Sequence, residues 1–195
     1  MRRKHLILLT GFGPFGDIVD NPSGRLNAQV VRAMQQRGVS DGLQWKILDV
    51  RPGVIDEVKP ANYRAVVATG VDAKAQTIRV ETRARNLYID RDLGKTFAID
   101  SSLPTGYQRA GGPLPPGITQ SIAGFSVQLG DGSSAGTYVC NDTFYRLCRS
   151  GTTAYFIHVP LIEPERDAEF AMALAAVALR LVEFLPVAQR CGLTL

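Results

Sequence analysis

The sequence predicts an α/β fold, a three-layer α/β/α sandwich built on a largely parallel, mixed central sheet. Short apolar runs of strand length stop at glycine or proline, as strands buried on both faces do. Segments with helical patterning fall between those runs, and this alternation marks sheets whose strands are joined by crossover helices. No repeat or linker-like stretch divides the 195 residues, which suffice for one substantial core but not for two. Residues 1–195 are therefore expected to form a single domain.

The elements follow in order. Residues 5–10 hold the apolar run Leu6 to Leu9 and stop at Gly11, a first buried strand. Asn21-Pro22-Ser23 reads as a helix start, with a helix expected over 23–37 and stopped by Gly38. Residues 45–50 form a second strand, 53–59 a short helix ended by Pro60, and 64–69 a third strand ending at Gly70. Residues 77–86 alternate as a strand with one polar face. The stretch 87–132 is rich in Gly, Pro and Ser and is expected to be surface loop, with one strand near 125–129. Residues 136–149 read as a helix, 154–159 as an apolar strand ending at Pro160, and 166–184 as a long helix with a broad apolar face.

Composition narrows the function. The formal net charge is +4, but Arg2, Arg3 and Lys4 supply much of it and signs mix elsewhere. No basic run is interleaved with aromatics, so no nucleic-acid partner is expected. Arg180 ends the apolar run of 170–179 well short of a membrane span, and the run after the basic N-terminus is too short for a secretory signal. Three cysteines, an odd number sparsely spaced, do not make a disulfide framework. Reduced thiols and a cytoplasmic location are the expectation.

Gly11-Phe12-Gly13-Pro14-Phe15-Gly16 matches the dinucleotide pattern G-x-G-x-x-G after a strand. That pattern needs a helix opening directly on the glycines, so that its N-terminus meets the pyrophosphate. Here Asp17 to Asn21 intervene, and two phenylalanines and a proline crowd the loop. A loop presenting Phe12 and Phe15 to an apolar pocket suits these residues better, with two core-packed rings as the plain alternative.

The chemistry centres on Cys140. A Gly/Ser-rich loop, Ser133 to Gly136, runs into a helix with Cys140 near its first turn. Free N–H groups and the positive helix end favour a thiolate there and can hold an oxyanion. Against this, free cysteines are among the most buried and inert residues. His158, one of two histidines, lies near the end of a strand, where open α/β sheets place their sites. A core histidine with a satisfied hydrogen bond is the alternative. Glu81 can supply the carboxylate that fixes the imidazole tautomer, although alone it reads as a solvated strand residue.

Four segments in this order resemble the pyroglutamyl peptidase I (pyrrolidone-carboxylate peptidase) family: the opening LLTGFGPFG with the following NPS, the stretch from Glu81 through Asn86 to Arg91, the segment SAGTYVCN, and YFIHVP. The resemblance spans Leu8 to Pro160, and SAGTYVCN is its most specific part. It implies a metal-independent, cofactor-free cysteine exopeptidase that removes N-terminal pyroglutamate from peptides. It also implies a cytoplasmic enzyme, often a homotetramer. It places the nucleophile at Cys140, the acid/base at His158 and the orienting carboxylate at Glu81. It sets Phe12, Phe15, Asn21, Val71 and Arg91 around the substrate. The chain departs from the family where a glutamine or other polar residue usually follows the glycine of the third strand, since Gly70-Val71-Asp72-Ala73 stands there. The segment 50–58 is shortened and 92–128 is rebuilt around glycines. Two alternatives follow: a hydrolase of another small amide or acyl group, or a binder of pyroglutamyl-like ligands without turnover. Cys148 falls about two helical turns after Cys140 and reads as core, and Cys191 has no visible role.

Overall fold

The computed structural model describes residues 6–39, 42–133 and 135–185. The readings made on Arg2, Arg3, Lys4, His5 and Cys191 lie outside them. Among the described residues are ten strands and four α-helices: β1 (Ile7–Phe12), α1 (Pro22–Arg25), α2 (Asn27–Gln36), β2 (Leu43–Leu48), β3 (Ala65–Val71), β4 (Ile78–Glu81), β5 (Arg83–Arg85), β6 (Tyr88–Asp90), β7 (Lys95–Phe97), β8 (Gln108–Ala110), β9 (Val127–Leu129), α3 (Val139–Arg149), β10 (Thr153–Val159) and α4 (Asp167–Glu183).

The main sheet has six strands in the order β2-β1-β3-β10-β4-β9. All its pairings are parallel except that of β10 with β4, which is antiparallel. Strand alternation splits its side chains between two layers. Leu9, Val67, Tyr155, Ile157 and Val80 face α2 and α4, with Val30, Met34, Phe170 and Leu174 among their partners. Leu8, Val66, Ala68, Ala154 and Phe156 face the other way, toward Phe144, Tyr145 and Leu147 of α3 and the 3₁₀ turn Val54–Val58. The predicted mixed sandwich is thus present, and β1 and β10 are buried along their whole length, and β3 up to its last residue, because helices cover both faces.

Several boundaries differ from expectation. The helix expected over 23–37 is two pieces meeting at Leu26, whose angles (φ −83°, ψ −12°) stay close to helical. The helix expected over 53–59 is the 3₁₀ turn just named. The strand expected over 77–86 breaks at Thr82, and its second half leaves the main sheet to pair with β8. The helix expected from Gly136 opens only at Val139. The stretch 87–132 contains more order than its composition suggested, with β6 and β7 forming a hairpin. Asn86 ties the stretch down: its amide donates to the carbonyls of Asp100, Leu103 and Pro104, and its oxygen accepts from the Asp100 N–H.

Gly11 explains the dinucleotide-like glycines. A β-carbon there would sit 1.8 Å from the Ser23 carbonyl oxygen, so only glycine lets the α1 backbone lie against β1. Ser23 returns the contact, its hydroxyl accepting from the Phe12 N–H at 3.1 Å. The glycine serves helix packing, and no helix opens toward a phosphate.

Candidate active site

Alternation and register bring the chemistry to one place. On β10, His158 follows Phe156 onto the α3 face; on β3, Gly70 follows Ala68; on β4, Arg79 and Glu81 take the face opposite Ile78 and Val80. In the ladder His158 stands beside Gly70 on one side and Arg79 on the other. The N-terminus of α3 then arrives from the loop above with Cys140 as its second residue. The site therefore sits at the C-terminal ends of β3 and β10, where parallel sheets collect their functional groups.

Three of the expected residues form a continuous chain. His158 Nδ1 lies 2.7 Å from Glu81 Oε1, with both side chains buried. The Cys140 thiol lies near enough to the imidazole to strengthen its hold on a proton. Burial pushes the His158 pKa down, but the neighbouring Cys140 and the hydrogen-bonded Glu81 outweigh it and hold the value up at about 9. With Nδ1 given to Glu81, Nε2 is the nitrogen left for the sulfur. The Phe156 ring meets the imidazole edge-on at 5.1 Å and limits its tilt.

The nucleophile segment is fixed from both sides. Asn141, fully buried, accepts from the Arg85 N–H at 2.9 Å and donates to the carbonyls of Arg85 and Leu87 at 2.9 and 2.7 Å. Asp142 accepts from the Gly53 N–H and from Arg146, which also reaches Asp56. No side chain caps α3. Its first-turn N–H groups, that of Cys140 included, have no intrahelical acceptor and are placed to receive a substrate oxygen.

The remaining expected residues are more dispersed. Phe12 is 2% exposed and packs among Leu8, Leu48 and Val54, so its ring fills the core beneath the site. Phe15 is half-buried in a turn closed by paired backbone bonds with Ile18. Asn21 is buried, caps α1 by accepting from the Ser23 N–H, and donates to the Gly13 carbonyl, so its polar atoms shape the loop. Val71 packs toward α2 and α4, away from Cys140. Arg91 is exposed, with its guanidinium 4.4 Å from the Tyr138 ring centre, and Tyr88 stacks on the same ring at 5.6 Å. That stack borders Cys140, since Tyr138 is the residue before α3 and the Ile89 N–H donates to the Thr137 carbonyl.

Sequence reasoning missed three participants. Gly70, rather than Val71, is the neighbour of the sulfur. Arg79 donates through Nε to Glu81 Oε1 at 2.7 Å, and Asp72 receives its Nη2 at 2.9 Å. The signal for Arg79 was present, because a residue two before Glu81 on an alternating strand shares its face. Cys148, as expected, is mostly buried, and burial pushes its thiol up to about 12. Among the described residues no group of three or more His, Cys, Asp and Glu side chains converges in the manner of a metal site, and no helix is long and apolar enough to cross a membrane.

No protein-family profile matches the chain. Individual proteins do. The pyrrolidone-carboxylate peptidase of Pseudomonas fluorescens is 31% identical over 183 residues, covering 84% of this chain and 81% of that protein. That of Vibrio vulnificus (strain CMCP6) is 32% identical over 179 residues, covering 83% and 81%. Among solved structures, pyroglutamyl peptidase I of Bacillus amyloliquefaciens superposes with a TM-score of 0.72 at 22% identity, covering 92% of this chain and 97% of its own. Pyrrolidone carboxyl peptidase of Thermus thermophilus superposes with a TM-score of 0.71 at 22% identity, covering 90% and 100%. At this identity the superpositions speak for the fold.

Proposed function

The chain belongs to the pyrrolidone-carboxylate peptidase family, and from that membership we propose that it is a single-domain cysteine exopeptidase removing N-terminal pyroglutamate from peptides. The observation that carries the reading is the unbroken series Cys140, His158, Glu81 laid against an uncapped helix N-terminus.

The reaction is acyl transfer. The Cys140 thiolate attacks the carbonyl carbon joining the pyroglutamyl ring to the next residue, and first-turn N–H groups of α3 hold the oxyanion. His158, protonated and held by Glu81, gives its Nε2 proton to the departing amine as the C–N bond breaks. A thioester remains on Cys140. The imidazole, now neutral, takes a proton from water, whose oxygen attacks the thioester; the tetrahedral intermediate collapses to free pyroglutamate and returns the sulfur to its starting state. Glu81 keeps the Nδ1–H tautomer in place throughout. Phe15 and the Arg91–Tyr138–Tyr88 stack are the substrate-facing surfaces under this reading, with Phe12 and Asn21 supporting the walls.

Hydrolysis of pyroglutamyl-aminomethylcoumarin under reducing conditions tests the proposal, with Cys140→Ala as control. Turnover by the wild type and none by the variant is the expected result; near-equal rates would overturn it. A second reading, another small amide or acyl substrate, rests on Val71 turning away from the sulfur and on Asp72 being tied to Arg79. A substrate panel in which pyroglutamyl compounds are not preferred would favour it, and labelling of Cys140 without turnover of any of them would favour a binder. Cytoplasmic location and assembly of copies belong to the same proposal. Edge strand β2 exposes Trp45 and Ile47, a surface that a second copy would cover, and sedimentation velocity tests it.

A further inference from the structure

One oxygen of Glu81 carries two cationic partners. Oε1 accepts from His158 Nδ1 at 2.7 Å and from Arg79 Nε at 2.7 Å, while the Glu81 side chain is only 3% exposed. Arg79 is itself anchored, its Nη2 donating to Asp72 Oδ2 at 2.9 Å just past the end of β3. The same Nη2 lies 3.3 Å from His158 Nδ1. When Nδ1 carries its proton, these are two donors facing each other, an arrangement held only by the carboxylate they share. None of the chemistry assigned to Cys140, His158 and Glu81 requires an arginine here.

We propose that Arg79, braced by Asp72, is a positioning residue that locks the Glu81 carboxylate against His158 and restrains how tightly the imidazole holds its proton. This rests on the reading of His158 as acid/base. The charged and titratable groups facing the imidazole are Glu81 and Arg79 from β4, Asp72 from the end of β3 and Cys140 from α3. Asp131, after β9, acts at one remove through its field on Arg79. Of these, Arg79 alone is a fixed positive charge. A carboxylate buried beside imidazolium with no competitor would bind that proton hard. Acylation tolerates this, because the imidazolium must donate. Deacylation does not, because a neutral imidazole must take a proton from water. Arg79 draws part of the carboxylate's charge to itself and sets a guanidinium close to Nδ1, so both steps proceed from one site.

The test uses the full chain in a His5→Gln background, where His158 is the single imidazole. Its ring carbon signal is titrated by NMR in the parent and in Arg79→Gln, and turnover of pyroglutamyl-aminomethylcoumarin is followed before and during steady state. The expected result is a His158 titration moved up by about one pH unit, a tenfold gain in proton affinity. With it, kcat falls about tenfold while KM falls alongside, and a burst of coumarin shows that the thioester forms and lingers. Arg79→Lys keeps the charge without the two-armed bond and should recover part of both effects. If Arg79→Gln unfolds, Arg79→Lys carries the test, with shifts of the same direction and smaller size. An unmoved titration with unchanged kcat and KM would overturn the proposal. So would lost turnover with an unmoved titration, since that marks a structural role only. A parent that turns over no pyroglutamyl substrate, yet shows the titration shift in Arg79→Gln, would sink the functional reading and leave the relation of Arg79 to His158 standing.

Discussion

Gly70 lies so close to Cys140 that a β-carbon on it would stand 2.7 Å from the sulfur and 2.9 Å from the tip of the Phe156 ring. Both distances are shorter than real β-carbons make, and neither neighbour has room to withdraw: Phe156 is fully buried and Cys140 sits on a helix bolted down by Asn141. The glycine ending β3 thus keeps the nucleophile's place beside the sheet.

Gly70→Ala is the first prediction. The added methyl must push Cys140 away from His158 or tilt the Phe156 ring that braces the imidazole. Turnover is expected to fall by about 100-fold, the scale on which small misplacements act. Overpacking should cost about 1–3 kcal/mol of stability in a urea titration. Wild-type turnover in this variant would mean that the sulfur does not work from the position described here.

A second prediction concerns pH, because His158 has its pKa raised to about 9. A histidine in the unfolded chain titrates near 6.5, so its imidazolium stabilises the fold fully below that pH and the contribution is lost as pH rises toward the folded value. Cys140→Ser removes the thiol's own proton from the balance while keeping a hydrogen-bonding group. In that variant Glu81 still raises the imidazole above its ordinary value. Stability should decline as pH climbs above about 6.5, with a slope no steeper than about 1.4 kcal/mol per pH unit. Adding Glu81→Gln takes away the carboxylate and should flatten the decline. Urea midpoints from pH 6 to pH 9.5 check both, and a stability that rises over this range would contradict the assignment.

The strands that carry the site were legible because burial on both faces leaves a simple mark: 5–10, 64–69 and 154–159 read as apolar runs and became β1, β3 and β10 within two residues. The triad positions were legible because each falls in a short motif at the end of such an element. What stayed hidden depends on pairings that no local pattern encodes. β5 and β8 are three residues each, half-exposed, and meet across more than twenty positions of chain. Arg79 reaches Asp72 across β10, because the antiparallel register of β4 sets Arg79 opposite His158, which in turn stands beside Gly70 near the end of β3. Phe12 carried the same residue signal whether it faced a ligand or the core, and only packing decided for the core.

Thiol chemistry yields a third prediction. Burial pushes the Cys148 thiol up to about 12, so it holds essentially no thiolate at neutral pH and is shielded besides. Cys140 keeps some surface and faces the imidazolium. In a Cys191→Ser background, limiting iodoacetamide at pH 7 should modify Cys140 at least about 100-fold faster than Cys148, read by peptide mass spectrometry. His158→Ala should slow labelling of Cys140 and leave that of Cys148, set by burial, as it is. Equal labelling of the two thiols would refute the local electrostatics on which the mechanism depends.

The last prediction tests how the nucleophile is held. Asn141, itself fully buried, spends its whole side chain on the backbone of β5 and the residues after it. Asn141→Ala takes its partner from the Arg85 N–H and the Leu87 carbonyl, while the Arg85 carbonyl keeps the Leu87 N–H, and each unmet group costs about 1–3 kcal/mol. A loss of about 3–5 kcal/mol is expected, close to the limit for a single change. Asn141→Asp separates geometry from volume: it keeps the acceptor for the Arg85 N–H but faces both carbonyls with an acceptor instead of a donor. It should be at least as destabilised as the alanine variant, despite being nearly the same size as asparagine. A mildly affected Asn141→Asp would show that the segment bearing Cys140 is held by packing and not by these bonds.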